Sequence, residues 1–385
     1  MNTDLSKQLF ELDYMTFMDV CSNHFHDDDA WVLSDYTGYL TNRSGMDKPK
    51  KVVIFHHNDL DGYTSGAIAR YAIEKAADKS YDNDLKIITY SASHNKPIDF
   101  DLNDIDDDTE VWFVDYPLTD INNEEFLNKL GDILDFRRIV YIDHHKASEV
   151  LMEENELLPN LPGIIGDYKL SGALLTWIFV SKFDDDLYNK PIPRFVKHVS
   201  DYDTFAKVHP DTDSFKYGVD ADGLKNIKTP EDMLIWNLRF DASSDCVDRY
   251  ISTGKVIESY AKSQGARANS MSGGDFVFKY NGNKYNVRAI NGIGNSMLFG
   301  DHYNTCDFVC LYYFDHKVLK YIYSFYTSHT DKIDCSEICE QLGGGGHPGA
   351  AGFKLPINIF EHYRLDLDDV TTIDLDAAIS MSKYH

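Results

Sequence analysis

Val52-Val53-Ile54-Phe55-His56-His57-Asn58-Asp59-Leu60-Asp61-Gly62 passes directly from an apolar run into a cluster of imidazoles and carboxylates. The apolar part predicts a buried β-strand, and the polar part begins where that strand gives out. The same transition recurs at Val111-Trp112-Phe113-Val114 before Asp115, and at Ile139-Val140-Tyr141-Ile142 before Asp143-His144-His145. A further acid, Asp201, follows later in the chain. In an open parallel sheet, ligands gather outside the carboxyl ends of the strands. Segments far apart in sequence are therefore expected to converge on one point, and their residue types make that point a candidate metal site.

Working outward, strand and helix patterns alternate from Lys51. Strands are expected at Lys51–His56, Leu85–Tyr90, Glu110–Val114 and Arg138–Ile142, and helices from near Thr64 to Ala77 and from Ser171 to Lys182. The segment after Thr119 carries Phe126, Leu127, Leu130, Ile133 and Leu134 at amphipathic helical spacing. This alternation predicts an α/β domain with a largely parallel sheet. Residues 1–50 read as a lead-in packed on a first domain at 51–214, followed by a helical connector at 215–269. A smaller α/β domain at 270–385 would hold strands near Phe276, Tyr285–Ile290, Phe308–Phe314 and Leu319–Tyr326. It would also hold a helix at Cys335–Leu342 and the loop Gly343-Gly344-Gly345-Gly346-His347-Pro348-Gly349-Ala350-Ala351-Gly352.

The 385 residues suffice for two such cores. A net charge of -26 sets the chain against long nucleic acid, because duplex binding is driven by Lys and Arg displacing counterions. The polar start of the chain lacks the apolar core of a signal peptide, and no apolar run approaches the roughly 20 residues of a membrane span. The six cysteines are scattered and read as small buried thiols rather than a disulfide framework. The expectation is a cytoplasmic protein with no membrane partner, and nothing in the sequence argues against a homodimer.

His57, Asp59 and Asp61 alternate, and in an extended turn residues two apart point the same way. His56 would then face away. Asp115 could bridge two ions, with His144 and Asp201 completing the second shell. Mixed imidazole and carboxylate donors suit Mn²⁺ better than Ca²⁺ or Mg²⁺. Asp59, Asp61, Asp115 and Asp201 would bring about four negative charges into one cleft, more than can stay ionised unaided. Two divalent cations would cancel them, and ions roughly 3.5–4 Å apart can share a hydroxide that attacks phosphorus. In the glycine loop, backbone N–H groups of Gly344, Gly345 and Gly346 could approach an anion, with His347 as a further donor.

Taken in order, these motifs resemble those of the DHH phosphoesterase superfamily, in the subgroup with a C-terminal DHHA1 domain. His57-Asn58-Asp59-Leu60-Asp61-Gly62 is similar to its first motif, Asp115 to the second and Asp143-His144-His145 to the third. Asp201 in Ser200-Asp201-Tyr202-Asp203 is similar to the fourth, with Asp203 the alternative. Gly343–His347 with Ala350-Ala351-Gly352 resembles the DHHA1 signature. The resemblance implies a bilobal enzyme with two Mn²⁺ ions: His57, Asp59 and Asp115 on one, and Asp61, Asp115, His144 and Asp201 on the other. It places His145 beside the scissile phosphate, makes Asp115, Asp143, His144 and His145 catalytic, and gives substrate binding to the glycine loop and His347. Tyr326 stands where many relatives carry a substrate arginine, and Arg288 is the candidate substitute.

The expected function is hydrolysis of short oligoribonucleotides, about two to five nucleotides long, because the acidic surface disfavours a processive groove for long strands. Cleavage of linear or cyclic dinucleotides and removal of the 3′ phosphate of pAp need the same machinery. A single-strand exonuclease and a nucleotide-binding pseudoenzyme are the remaining alternatives.

Overall fold

The alternation of apolar side chains along Lys51–His57 sends Val52 and Ile54 to one face of a sheet and Val53 and Phe55 to the other, and all are buried. Burial on both faces is what a parallel strand flanked by helices requires, and it explains the unbroken apolar run. The computed structural model describes residues 2–11, 31–32, 49–80, 85–93, 98, 100–118, 138–154, 163–166, 169–182, 187, 190–223, 225–241, 243–367 and 370–382. The chain divides into two compact units, Met1–Lys255 and Val256–His385.

In the first unit the strands are β1 (Trp31–Val32), β2 (Lys51–His57), β3 (Lys86–Ala92), β4 (Thr109–Val114), β5 (Ile139–Asp143) and β6 (Gly163–Ile165). Their order is β1-β6-β5-β4-β2-β3. Strands β2 to β6 are mutually parallel, and β1 pairs antiparallel with β6. The chain leaves β2 for β3 on one side and then crosses to β4 on the other. The crevice outside the ends of β2 and β4 is therefore the topological switch point, where open α/β sheets bind ligands.

Helices α1 (Asn2–Glu11), α2 (Leu60–Ser80), α3 (Lys146–Glu154), α4 (Gly172–Ser181) and α5 (Arg194–Asp203) belong to this unit, as do α6 (Thr212–Asp222) and α7 (Pro230–Phe240). One core joins Val52, Ile54, Trp112 and Val140 to Ile68, Leu174, Trp177 and Phe195. Helix α4 is buried along its whole length, as its apolar character all round requires. A second core on the opposite face holds Val53, Phe55, Phe113 and Tyr141.

The segment expected as a connector contributes to the first core through Phe215, Val219, Met233, Trp236 and Phe240. The division between units falls inside α8 (Cys246–Ser272). The amphipathic pattern after Thr119 and most of the lead-in lie outside the described residues. Among the described residues no helix is long and apolar enough to cross a membrane.

The second unit is built on a mixed sheet in which β7 (Gly273–Tyr280), β8 (Asn283–Asn291), β9 (Phe308–Asp315) and β10 (Lys320–Tyr326) form the centre. The strands β11 (Gly345–His347), β12 (Ala350–Leu355), β13 (Arg364–Leu367) and β14 (Val370–Asp374) complete it. Cys310, Cys335 and Cys339 are free thiols buried in its core, the bland role their scattered spacing implied.

Candidate metal centre

Asp115 is the hub of the site. It follows the last residue of β4 with φ +50°, a left-handed backbone that non-glycine residues adopt rarely. Its N–H donates to Ile142 O at 2.8 Å and its carbonyl accepts from His57 N at 3.3 Å. These bonds tie the ends of β2, β4 and β5 together. The side chain is buried, and its Oδ1 has no hydrogen-bond partner among the described residues. A buried carboxylate oxygen left this way is costly unless a cation satisfies it.

Two donor groups meet on this carboxylate: His57, Asp115 and His145 form one, and Asp61, Asp115 and His144 the other, with the ligand atoms of each group within 4.8 Å of one another. His57 Nδ1 lies 4.0 Å from Asp115 Oδ2, and His144 Nε2 lies 3.3 Å from Asp115 Oδ1 and 3.8 Å from Asp61 Oδ2. Atoms bound to one ion at about 2.1 Å stand about 3 to 4 Å apart, so these spacings suit shared cations better than hydrogen bonds. The donor set thus fits divalent ions.

The first motif reaches the site by a different route from the expected extended turn. After His57 the chain bends through Asn58 and Asp59 and enters α2 at Leu60, so Asp61 sits in the first turn of a helix. Asp59 Oδ1 accepts from Gly62 N at 2.8 Å. A side chain at Gly62 would meet His57 O at 2.3 Å, which is why this turn needs glycine. Asp61 accepts from Gly172 N at 2.7 Å and Ala173 N at 3.0 Å, and so rests on the N-terminus of α4, where a carboxylate is favoured. His56 faces away as expected, with Nδ1 2.7 Å from His57 O and its ring against Tyr63. Burial pushes its pKa down to about 4.

Asp143 lies beneath the third motif, fully buried, and holds His145 Nδ1 at 2.7 Å. It also accepts from the Ser148 hydroxyl. Burial opposes both charges of this pair, yet the pair prevails: the Asp143 carboxyl is held down to about 2 and the His145 imidazole rises to about 9. The His145 ring packs edge-on to His57 and His144, with centroids 4.9 and 4.8 Å away. Asp143 thus orients His145.

The fourth motif is corrected from Asp201 to Asp203. Asp201 turns away and organises the loop after α5: its carboxylate accepts from Val208 N at 2.8 Å, His209 N at 3.0 Å and the Thr212 hydroxyl at 2.5 Å. Asp203 Oδ2 instead lies 3.6 Å from His144 Nε2. In a helix, residues two apart point to nearly opposite sides, so both acids cannot serve the site. The signal was present in the spacing Phe195, Val199, Asp203, which shares one helical face.

The carboxylates of this group repel one another. Desolvation, then the charges of Asp61, Asp59, Asp203 and Asp143, lift the Asp115 carboxyl well above the usual range. Asp203 is raised likewise by desolvation, Asp61 and Asp59, although its side chain keeps 32% of its surface. Asp61 rises to about 6 through burial and Asp59. Such mutual repulsion is what bound cations would relieve.

In the second unit, Arg288 is committed elsewhere: Nη2 donates to Asn269 O at 2.8 Å, Nε to Asn269 Oδ1 at 3.2 Å, and Nη1 pairs with Asp275 at 3.0 Å. This corrects its assignment as a substrate contact, because it fastens the end of α8 to the sheet. Gly345–His347 is a strand edge paired with β12 rather than an open loop. A Cβ on Gly344 would meet Gly352 O at 2.0 Å, and Gly346 has φ +142°, so strand packing alone demands those glycines. Gly345 faces open space. The side chain of His347 lies outside what the structure describes. Tyr326 is half-buried in β10, opposite Val309 and Ala350.

No protein-family model matches the chain. It is 26% identical over 321 residues to the uncharacterised protein R106 of Acanthamoeba polyphaga mimivirus, an overlap of 78% of this chain and 66% of that protein. It is also 26% identical over 194 residues to a Bacillus subtilis (strain 168) protein, provisionally named the SPbeta prophage-derived single-strand DNA-specific exonuclease YorK. That match takes in 48% of this chain and 30% of YorK, so the chain spans less than two thirds of either relative. Among solved structures, the DHH domain of a member of the S1p family of ribosomal proteins matches with a TM-score of 0.53 at 15% identity, over 79% of this chain and 82% of that one. The parallel sheet with its switch-point crevice, the motifs at its strand ends and this likeness agree, and the fold of the chain is that of a DHH-domain protein.

Proposed function

We propose that the chain is a cation-dependent phosphodiesterase that hydrolyses short oligonucleotides to mononucleotides. The observation that carries this reading is the pair of donor groups sharing Asp115 at the end of β4. His57, Asp59 and Asp115 would hold one divalent cation, and Asp61, Asp115, His144 and Asp203 the other, with His145 kept for the substrate phosphate. Mn²⁺ suits this mixed imidazole and carboxylate set. Bound cations would supply Lewis-acid stabilisation of phosphoryl oxygens and lower the pKa of water. The protein's part is positional. Asp143 would keep His145 in its charged form, with one proton on Nδ1 toward the carboxylate and the other on Nε2, which can donate to a phosphate oxygen. The N-terminus of α4 fixes Asp61, and the bonds across β2, β4 and β5 fix Asp115. The net charge of -26 favours a short substrate over a long polyanion.

A second reading, a single-strand DNA exonuclease, draws on the likeness to YorK. One assay separates the two. The protein with Mn²⁺ is incubated with labelled RNA of about two to five nucleotides, dinucleotides, pAp and a long single-stranded DNA. Cleavage of the short substrates with little action on the long strand is expected, and the reverse order would select the exonuclease. No cleavage of any would end the enzyme reading.

A further inference from the structure

Beside the metal centre, a cavity of about 210 Å³ opens to solvent within the first unit. Asp59, Asp61 and Asp203 form its acidic side, and Leu60, Val199 and Tyr202 give it an apolar wall. Lys216 and Asp220, one turn apart on α6, complete the lining. Among the described residues that line this cavity, Lys216 is the one cation. Its Nζ lies 5.2 Å from the centroid of the Tyr202 ring, and 2.6 and 2.7 Å from the two Asp220 oxygens.

The acids on the near side are committed to cations if the phosphodiesterase reading holds. Once their charge is cancelled, nothing on that side attracts a phosphate other than the one undergoing reaction. An ammonium group has three donors. Asp220 takes two of those on Lys216, and the third is left for a ligand. We propose that Lys216 is the anchor for a second phosphate of the substrate, adjacent to the scissile one, with the intervening nucleoside against Leu60, Val199 and Tyr202. The substrate class is thereby narrowed to nucleotides carrying a phosphate on each side of a nucleoside, such as a 5′-phosphorylated dinucleotide. This inference rests on the phosphodiesterase reading of the same centre. Asp220 holds Lys216 in place but repels the incoming anion, so the two residues have opposite effects on affinity.

The test uses the full chain with Mn²⁺ and two probes, pUpU and UpU, each made with a methylphosphonate linkage that resists hydrolysis. Equilibrium binding should favour the 5′-phosphorylated probe by about tenfold in the unaltered protein, the worth of one charge-assisted contact. Lys216→Gln should bring that preference close to one, and Asp220→Asn should enlarge it about threefold or more. A merely structural role for the pair would move both variants in the same direction. A preference retained in Lys216→Gln, or lost in Asp220→Asn as well, overturns the anchor. Unmodified pUpU is the control for the underlying reading. If the unaltered protein fails to cleave it while the binding preference and its opposite responses persist, the phosphodiesterase reading falls and the anchor stands.

Discussion

A Cβ placed on Gly172 would lie 2.5 Å from the Cβ of Asp115 and 2.7 Å from its Oδ1. The first residue of α4 is therefore in contact with the hub carboxylate, while its N–H holds Asp61. Gly172→Ala should push Asp115 aside and disturb both donor groups together. A displacement of about 1 Å costs on the order of 100-fold in turnover. We expect that loss along with weaker Mn²⁺ binding by calorimetry, and an unchanged affinity would show that the contact is irrelevant to the site.

Asp201 and Asp203 should separate cleanly on substitution. Asp201→Asn keeps one acceptor oxygen but turns an NH2 toward at least one of the backbone N–H groups that the carboxylate accepts, so unfolding in urea should show a loss of about 1–3 kcal/mol. Asp203→Asn should leave cation-free stability intact or improved, because it removes one of several repelling carboxylates. Its turnover should fall by about 100-fold. Similar behaviour of the two variants would undo the reassignment of the fourth motif.

Asp143→Asn preserves shape but weakens the hold on the His145 proton. By the general worth of acid–base groups, kcat should fall by about 100-fold or more. The thermal shift produced by Mn²⁺ should persist, because Asp143 is in neither donor group and His145, which it holds, is assigned to the phosphate rather than to a cation. Loss of that shift would make Asp143 a determinant of cation binding rather than of His145.

Mn²⁺ should raise the melting temperature of the intact chain, and a chelator should reverse the effect. A cation at 100 times its dissociation constant adds about 2.7 kcal/mol per site. Asp115→Ala should abolish the entire shift, since both groups share this residue. A variant retaining half the response would mean that one site is complete without Asp115.

Far from the centre, Glu110 lies buried at the start of β4 with Oε1 2.6 Å from the Trp112 Nε1 that donates to it. Burial raises its pKa from 4.5 to about 8, against the pull of the Trp112 bond and Arg138. The folded state alone holds the proton between those values, so the contribution is full below the unfolded pKa. It declines by up to about 1.4 kcal/mol per pH unit as pH rises and is lost beyond the folded pKa. Glu110→Gln should flatten the stability difference between pH 5 and pH 8, measured by urea unfolding. An unchanged profile would assign the pH dependence to other groups.

The sequence exposed the centre wherever a strand ended in a donor. The apolar runs before His57, Asp115 and Asp143 are long enough to define β2, β4 and β5, and parallel topology does the rest. It was weaker where the donor sits on a helix. Asp201 and Asp203 occupy opposite sides of α5; the apolar spacing that leads to Asp203 could be read, but the loop that claims Asp201 through backbone N–H groups has no sequence signature. Arg288 failed for a similar reason, since Asp275 faces it only in the register of the β7–β8 hairpin, and Asn269 only once the end of α8 has packed on the sheet. The glycines at 344 and 346 were legible as glycines, but whether they serve a ligand or a neighbouring strand is a question of register.

The positive φ of Asp115 sets the comfort of the backbone against the chemistry of the side chain. Glycine or asparagine would relax more easily into that torsion, and either would empty the crevice of its central charge. Variants selected for thermal resilience alone should therefore drift toward those two residues at position 115, becoming sturdier and inert, whereas retention of aspartate there marks descendants still under pressure to work.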